Sequence, residues 1–503
     1  MSQEPKKIGR RTFINYLVAI VATGVVVGVG TYLTTPKVAA EKTVTTTVRE
    51  TLTKTVTQTV TQTSVPTSTI TPDSWWADAA KKYAGTTIRV ITESVPPSLV
   101  LQKYVSEFEK LTGIKVEFEA TYYDDVYAKE MADFAAHTAI YDVLYVEIEW
   151  LGAYAGAGYL FPVEDMIKEH PELTDPNLDL QDFVALEERK YKNKLYTLPY
   201  ETFGYLYYYR KDLFEKYASE FKKEYGRDLQ VPKTMEEYED IAKFFTGREP
   251  NLYGHLAQAK THNALECDWE NFHCMFGSPD YEKNFIDPNK MRSSGVVNSS
   301  WAVEALEYYI KLLKYAPPGA LTYTWDEAGA AMQEGLIAQG PFWGDWALSM
   351  FDPSVSKVVG KIGFSDFPRL SKNPEAKTMN ACASGWGINA DSKHKEAAWL
   401  FAQWTKRKGF DAVWMKDAGV LGRRSSMNDP VVLEADKKFG NLFTAFLKAS
   451  KYYHFPLRIK EYSEMKTAAE EPLGLAVNGK ISAKEALDML AARWDEILKR
   501  SYP

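Results

Sequence analysis

The sequence predicts an α/β fold with more than one lobe. Three features predict it: a length of 503 residues, a globular composition, and a stretch from Thr87 to Val146 in which strand and helix patterns alternate. With 45% hydrophobic and 25% charged residues the chain has enough apolar side chains for a sizeable core. Single cores stop growing near roughly 250–300 residues, so this length implies at least two. Thr87 to Thr92 reads as a strand. Leu101, Val105, Phe108 and Leu111 mark one face of a helix that Gly113 ends. Ile114, Val116 and Phe118 then alternate with Lys115, Glu117 and Glu119, the period of a half-buried strand. A helix from about Asp124 to Ala136 and the apolar run Val143 to Val146 complete a βαβαβ pattern. Such units form a parallel sheet whose ligands sit at the carboxyl ends of the strands. Further on, Thr234 and Glu237 form a capping box that opens a helix from Met235 to about Phe245. Val303, Leu306, Ile310 and Leu313 mark another helical face, and 396–406 and 483–499 read as helices.

Composition narrows the function. The formal charge is −7, and the only dense basic run is Lys6, Lys7, Arg10 and Arg11, which argues against a nucleic-acid partner. Aromatic residues reach 14% of the chain, which favours a ligand with faces to stack on. Three cysteines, Cys267, Cys274 and Cys382, are too few for a disulfide scaffold. No nucleophile elbow, zinc-protease helix or phosphate loop occurs, and no cofactor is implied.

The N-terminus supplies the compartment. Phe13 to Leu33 carries no charge and is long enough to cross a hydrocarbon core of about 30 Å. Basic residues before it place the body outside the cell. The chain is then anchored by residues 13–33, or released after cleavage near Ala40. Arg10 to Phe13 fits both a twin-arginine export signal and an ordinary anchor. Residues 36–74 are rich in threonine and read as an extended stalk, with a weak helix as the alternative.

Several strings in the body resemble family 1 extracellular solute-binding proteins of ABC importers, the maltose-binding type. They are Phe108 to Val116, Tyr141 to Tyr145 with Gly158 to Pro162, Asn193 to Glu201, Tyr208 to Phe214, Val231 to Tyr238, Gly335 to Trp346, Ser384 to Ala398 and Gly479 to Leu490, all in the family's order. The resemblance implies a two-lobed, periplasmic-binding-protein-like fold with three hinge crossings near Tyr200, Thr378 and Met427. One lobe would take 75–202 plus 384–426, the other 203–377 plus 430–503. It also implies capture of a sugar or oligosaccharide by hinge closure, permease subunits as partners, a monomeric body and no enzymatic activity. Residues 247–298 match nothing in that pattern.

A sugar site needs aromatic platforms with carboxylates at their edges. By resemblance Trp343 is the stacking residue and Asp345 its hydrogen-bonding neighbour, with Trp346 beside them on a glycine-rich cleft loop. Glu201 falls at the first expected crossing. Tyr145, Glu147, Glu149 and Trp150 follow a buried strand at its carboxyl end, and alternation puts the first three on one face. For Trp386 stacking and core packing stay open, as they do for Tyr123. His255, His262, Cys267, Asp268, His273 and Cys274 crowd together, but their spacing fits no zinc pattern, and a Cys267–Cys274 disulfide is the expectation outside the cell. Two rival readings remain at this level: a secreted glycoside-active enzyme, since acid pairs beside tryptophans suit that chemistry, and a ferric-ion binder using tyrosines such as Tyr207 and Tyr208.

Overall fold

Strand β1 (Thr87–Glu93) opens the body because its inward residues Ile88, Val90 and Ile91 are fully apolar and become fully buried. The computed structural model describes residues 70–502, so the expected anchor over 13–33 and the expected stalk as far as residue 69 lie outside the described residues. After β1 a helix, Pro96–Thr112, starts on proline, whose missing N–H costs nothing in a first turn. It buries Leu101, Val105 and Phe108, each worth about 1.5–3 kcal/mol when taken out of water. Gly113 ends it at φ 74, a left-handed conformation that glycine adopts freely, with its N–H donating to the Glu109 carbonyl. The chain then enters β2 (Lys115–Thr121), parallel to β1 with Thr87 opposite Lys115.

Helix Tyr123–Ala136 leads to β3 (Val143–Val146), buried along its whole length, and helix Ile148–Ala157 to β4 (Leu160–Phe161). A small hairpin of β5 (Lys190–Tyr191) and β6 (Lys194–Leu195) precedes β7 (Thr197–Pro199). Next come β8 (Phe203–Arg210), β9 (Gln339–Trp343), β10 (Ile362–Ser365), β11 (Met379–Cys382), β12 (Gly385–Asn389) and β13 (Tyr453–His454).

These strands build two large sheets. The first has the order β2-β1-β3-β12-β4, with β7 also on β12; β12 runs antiparallel into an otherwise parallel arrangement. The second has the order β10-β8-β11-β13, with β9 also on β8. The chain leaves the first sheet between Pro199 and Phe203. It returns at Ala383 and Ser384, after β11 has paired in the second sheet, rather than at Thr378. Helices Asn263–Phe276, Ser300–Leu312, Tyr462–Val477 and Ala483–Lys499 pack on one another beside the second sheet. The last begins at a full capping box of Ser482 and Glu485. At Thr234 the box is rearranged: its hydroxyl accepts from the Glu237 N–H, but Glu237 reaches back to the Lys233 N–H.

Residues 247–298, unmatched at sequence level, are thus an integral part of the core. Helix Asn263–Phe276 is buried on nearly every side, and it overturns the disulfide. Cys267 and Cys274 are free and sit seven residues apart on that helix, about 10 Å along its axis at 1.5 Å per residue, beyond the reach of a disulfide. The histidines nearby are core residues too. His255 meets the Tyr238 hydroxyl and His273 the Asn284 carbonyl, and burial pulls the two imidazoles down to about 3 and about 4. Among the described residues no group of three or more His, Cys, Asp or Glu is placed to hold a metal ion.

Candidate functional site

The carboxyl ends of β1 and β3 face the second sheet across a cavity of about 560 Å³, its open mouth included. From the first sheet's side come Glu93, Tyr123, Tyr145, Glu147 and Glu149; from the second come Phe203, Trp343, Asp345, Trp346 and Cys382. Asn263, Trp325 and Lys466 reach in from helices.

Local structure explains how each acid arrives. β3 ends at Val146, and Glu147 is the cap of the following helix, its carboxylate accepting from the Ile148 N–H at 2.8 Å. Glu149 lies in that helix's first turn, where partial positive charge favours an acid. Tyr145, Glu147 and Glu149 do converge on the cavity, but through a strand-to-helix junction and not through strand alternation. The expected cleft loop at Gly340–Trp346 is likewise β9 followed by a 3-10 helix, Gly344–Phe351. Gly344 is required there, since a Cβ would lie 2.4 Å from the Phe446 ring and 2.9 Å from the Gly204 carbonyl.

Aromatic surfaces flank the acids. Trp343 is half-buried, its ring 4.2 Å from Tyr205, and its carbonyl accepts from the Tyr208 hydroxyl at 2.6 Å. The neighbouring Trp346 packs against Phe342, while Tyr123 meets Trp150 and Trp325.

The charges are unevenly paired. Lys466, 2% exposed, bridges Glu149 at 2.8 Å and Glu266 at 2.6 Å. Glu149 also accepts from the Tyr123 hydroxyl and from Asn263 at 3.0 Å. By contrast Glu147 receives only neutral donors: the Tyr145 hydroxyl at 3.0 Å, the Cys382 thiol at 3.1 Å and the Ile148 N–H. The same Tyr145 hydroxyl lies 3.3 Å from Glu93. Asp345 is 3% exposed, and its Oδ1 has no partner among the described residues. Burial pushes the Glu147 carboxyl up to about 7, helped by Glu149. It pushes Asp345 up to about 7 as well, with Glu147 and Asp326 adding to it. Glu93 is pushed well up by burial and then by Asp345 and Glu147.

Three expected residues do not reach the cavity surface. Glu201 is 0% exposed, at the step from β7 to β8, and neither carboxyl oxygen has a partner among the described residues. Trp150 is held behind the wall by Tyr123, Tyr127 and Tyr145. Trp386, on β12, is core: its indole N–H donates to Thr405 at 3.1 Å and its ring lies 4.1 Å from Tyr200. Sequence reasoning missed Glu93, Asn263, Trp325, Cys382 and Lys466 as cavity residues. Glu93 ends a parallel strand and was open to the same argument as Glu147.

Two sheets that hold a pocket of carboxyl and aromatic side chains between them, at strand ends, define a binding protein for a small polar solute. The match of residues 93–409, well over half the chain, to the family described as bacterial extracellular solute-binding protein makes the class specific. The chain belongs to that family. It is the substrate-binding component of an ABC importer, not an enzyme, which sets aside the glycoside-hydrolase alternative. Among relatives, a probable ABC transporter-binding protein of Deinococcus radiodurans is 30% identical over 51% of this chain and 58% of its own length. A mannitol-binding protein of Pseudomonas aeruginosa is 24% identical over 74% of this chain and 84% of its own. A solved ABC transporter solute-binding protein of Agrobacterium radiobacter, in complex with ribitol, superposes with a TM-score of 0.71 at 29% identity, covering 82% of this chain and 98% of the other.

Proposed function

We propose that the protein captures a polyol or short saccharide on the outer face of the cell membrane and presents it to the permease of its importer. The observation that carries this reading is the cavity itself. Aromatic faces at Trp343, Trp346, Trp325 and Tyr123 suit the apolar C–H faces of such a ligand, and the carboxyls of Glu93, Glu147 and Asp345 suit its hydroxyls. The relative named for mannitol and the solved structure in complex with ribitol support the same class. Residues 13–33 anchor the chain and the threonine-rich segment lifts the body from the membrane. One lobe is built on the first sheet and the other on the second. Ligand closes them about the crossings at Tyr200–Thr202, at Ala383–Ser384 and near Met427, and the closed form is what the permease recognises.

A thermal-shift screen of polyols and saccharides tests this. A ligand at a hundredfold excess over its Kd should add about 2.7 kcal/mol to stability and be recovered unchanged. Trp343→Ala should weaken that ligand by about tenfold or more through loss of the stacking face. Chemical turnover of the bound sugar would sink the proposal, and so would full affinity in Trp343→Ala.

A further inference from the structure

The charge inventory of the cavity is lopsided. Among the described residues its lining holds one cation, Lys466, which is already engaged by Glu149 and by the fully buried Glu266. That leaves Glu93, Glu147 and Asp345 without an ion-pair partner in contact among the described residues. Tyr145 has one hydroxyl proton to share between Glu93 and Glu147, so at any moment one of the two goes without it. Asp345 lines the cavity, and its buried Oδ1 meets no donor among the described residues. Around these groups stand Glu149 on the Ile148–Ala157 helix, Asp326 on the Trp325–Gln333 helix, Cys382 on β11 and Glu201 at the β7–β8 step, each acidic or neutral; the buried Arg189 guanidinium also acts on Glu147 and Cys382, but it is held by backbone carbonyls and does not line the cavity. Lys406 faces Glu201 and does not line the cavity. The half-buried rings of Trp343, Trp346 and Trp325 offer π faces that attract a cation as readily as a C–H face.

Building on the proposed capture of a polyol or sugar at this site, we propose that the ligand carries a protonated amine: an amino sugar or amino polyol whose ammonium is held among Asp345, Glu147 and Glu93. A neutral hydroxyl supplies one donor to this cluster and leaves its mutual repulsion in place. An ammonium supplies three donors and the missing charge. The cluster must then give up protons to bind it. With Glu147 and Asp345 both pushed by burial to about 7, affinity for the amine rises with pH across neutrality, whereas affinity for an uncharged polyol does not.

Calorimetry on the full-length protein in nanodiscs, with D-glucamine, N-acetyl-D-glucamine and D-glucitol as probes between about pH 5.5 and 8.5, tests this. D-glucamine should bind about tenfold or more tighter than the two neutral probes at the upper end, with the advantage shrinking toward unity at the lower end. Its binding enthalpy should depend on the buffer, reporting protons released. Asp345→Asn should lower the amine-to-polyol ratio; the buffer dependence of the unmodified protein is a second readout that needs no variant. Equal affinities with a flat pH profile would overturn the amine proposal and leave polyol capture standing. No binding by any of the three would overturn both. Tighter binding of putrescine than of D-glucamine would overturn the polyhydroxy part of the ligand.

Discussion

Replacing Lys466 by methionine removes the cation from a buried cluster while keeping the length of the side chain. Lys466 stands 2.8 Å from Glu149 and 2.6 Å from Glu266, and all three are nearly or fully buried. At an effective dielectric of about 20, Coulomb attraction at 2.8 Å is about 6 kcal/mol. Desolvation of the two ions offsets much of that in the intact pair, but removing one partner leaves the other buried and uncompensated, at a cost of about 3–5 kcal/mol. One ammonium balances one carboxylate. Glu266, pushed up first by burial and then by Glu270, is the carboxyl that keeps its proton, so the stranded charge in the variant is on Glu149. Lys466→Met should therefore lower the urea-unfolding free energy by about 3–5 kcal/mol, read from the intrinsic fluorescence of the tryptophans. Adding Glu149→Gln to it should restore part of the loss, because the stranded charge is gone. A loss below about 1 kcal/mol, or a double variant no more stable than the single, would refute the reasoning.

Three further outcomes follow from the same geometry. The Glu201 carboxyl is pushed well up by burial and then by Asp345, Glu93 and Glu147, so it keeps its proton folded while the unfolded chain loses it near pH 4.5. Stability therefore falls as pH rises above that value, and Glu201→Gln should be more stable than the unmodified protein at pH 8 by about 1 kcal/mol or more, with no difference below about pH 4, in paired thermal melts. Gly344→Ala drives a Cβ into Phe446 and the Gly204 carbonyl; about 1–3 kcal/mol of destabilisation should accompany weaker ligand binding, since Asp345 is the next residue. Thiol titration should count three free cysteines after denaturation and almost none in the native protein, and reducing agent should leave the melting temperature unchanged; a cysteine count of one would mean that a disulfide exists.

Periodicity made the first hundred residues of the body legible because each element there is half-buried or fully buried in a simple pattern. Val143 to Val146 is apolar throughout and buried throughout, and the final helix, with its capping box, runs over 483–499 as the sequence implies. Part of the cavity was legible for a different reason. Trp343 and Asp345 were reached through a string that resembles the family's, while the local reading of that string as a loop missed β9 and the 3-10 helix after it. Lys466 was not legible, because its partners Glu149 and Glu266 lie far away along the chain and nothing near Lys466 marks it as paired. Glu201 shows a third case. Its place at the step between sheets is in the sequence, but whether a carboxyl there faces the cavity or is sealed behind it depends on side chains far away along the chain.

The sealed position of Glu201 ties the charge of the cavity to the proposed hinge. The carbonyl of Ser384, at the return crossing, accepts from the N–H groups of Tyr200 and Glu201 at 3.0 and 3.2 Å and from the Arg189 guanidinium at 3.0 Å. Arg189 in turn donates to the Glu201 carbonyl at 2.9 Å and to the Thr202 hydroxyl at 3.0 Å. Burial pulls that guanidinium down to about 10, which still leaves it charged at neutral pH; it binds both crossings through carbonyl and hydroxyl oxygens, while Glu188 and Glu147 act on it only through space. Two strands of the crossing are thus held to one another, and the Glu201 carboxyl on the held segment feels the charge of Asp345, Glu93 and Glu147. A cation arriving among Asp345, Glu93 and Glu147 offsets the negative charge that helps hold the proton on Glu201. Ligand charge would then be felt at the backbone step about which closure is proposed to occur, through residues already in contact and without a separate relay.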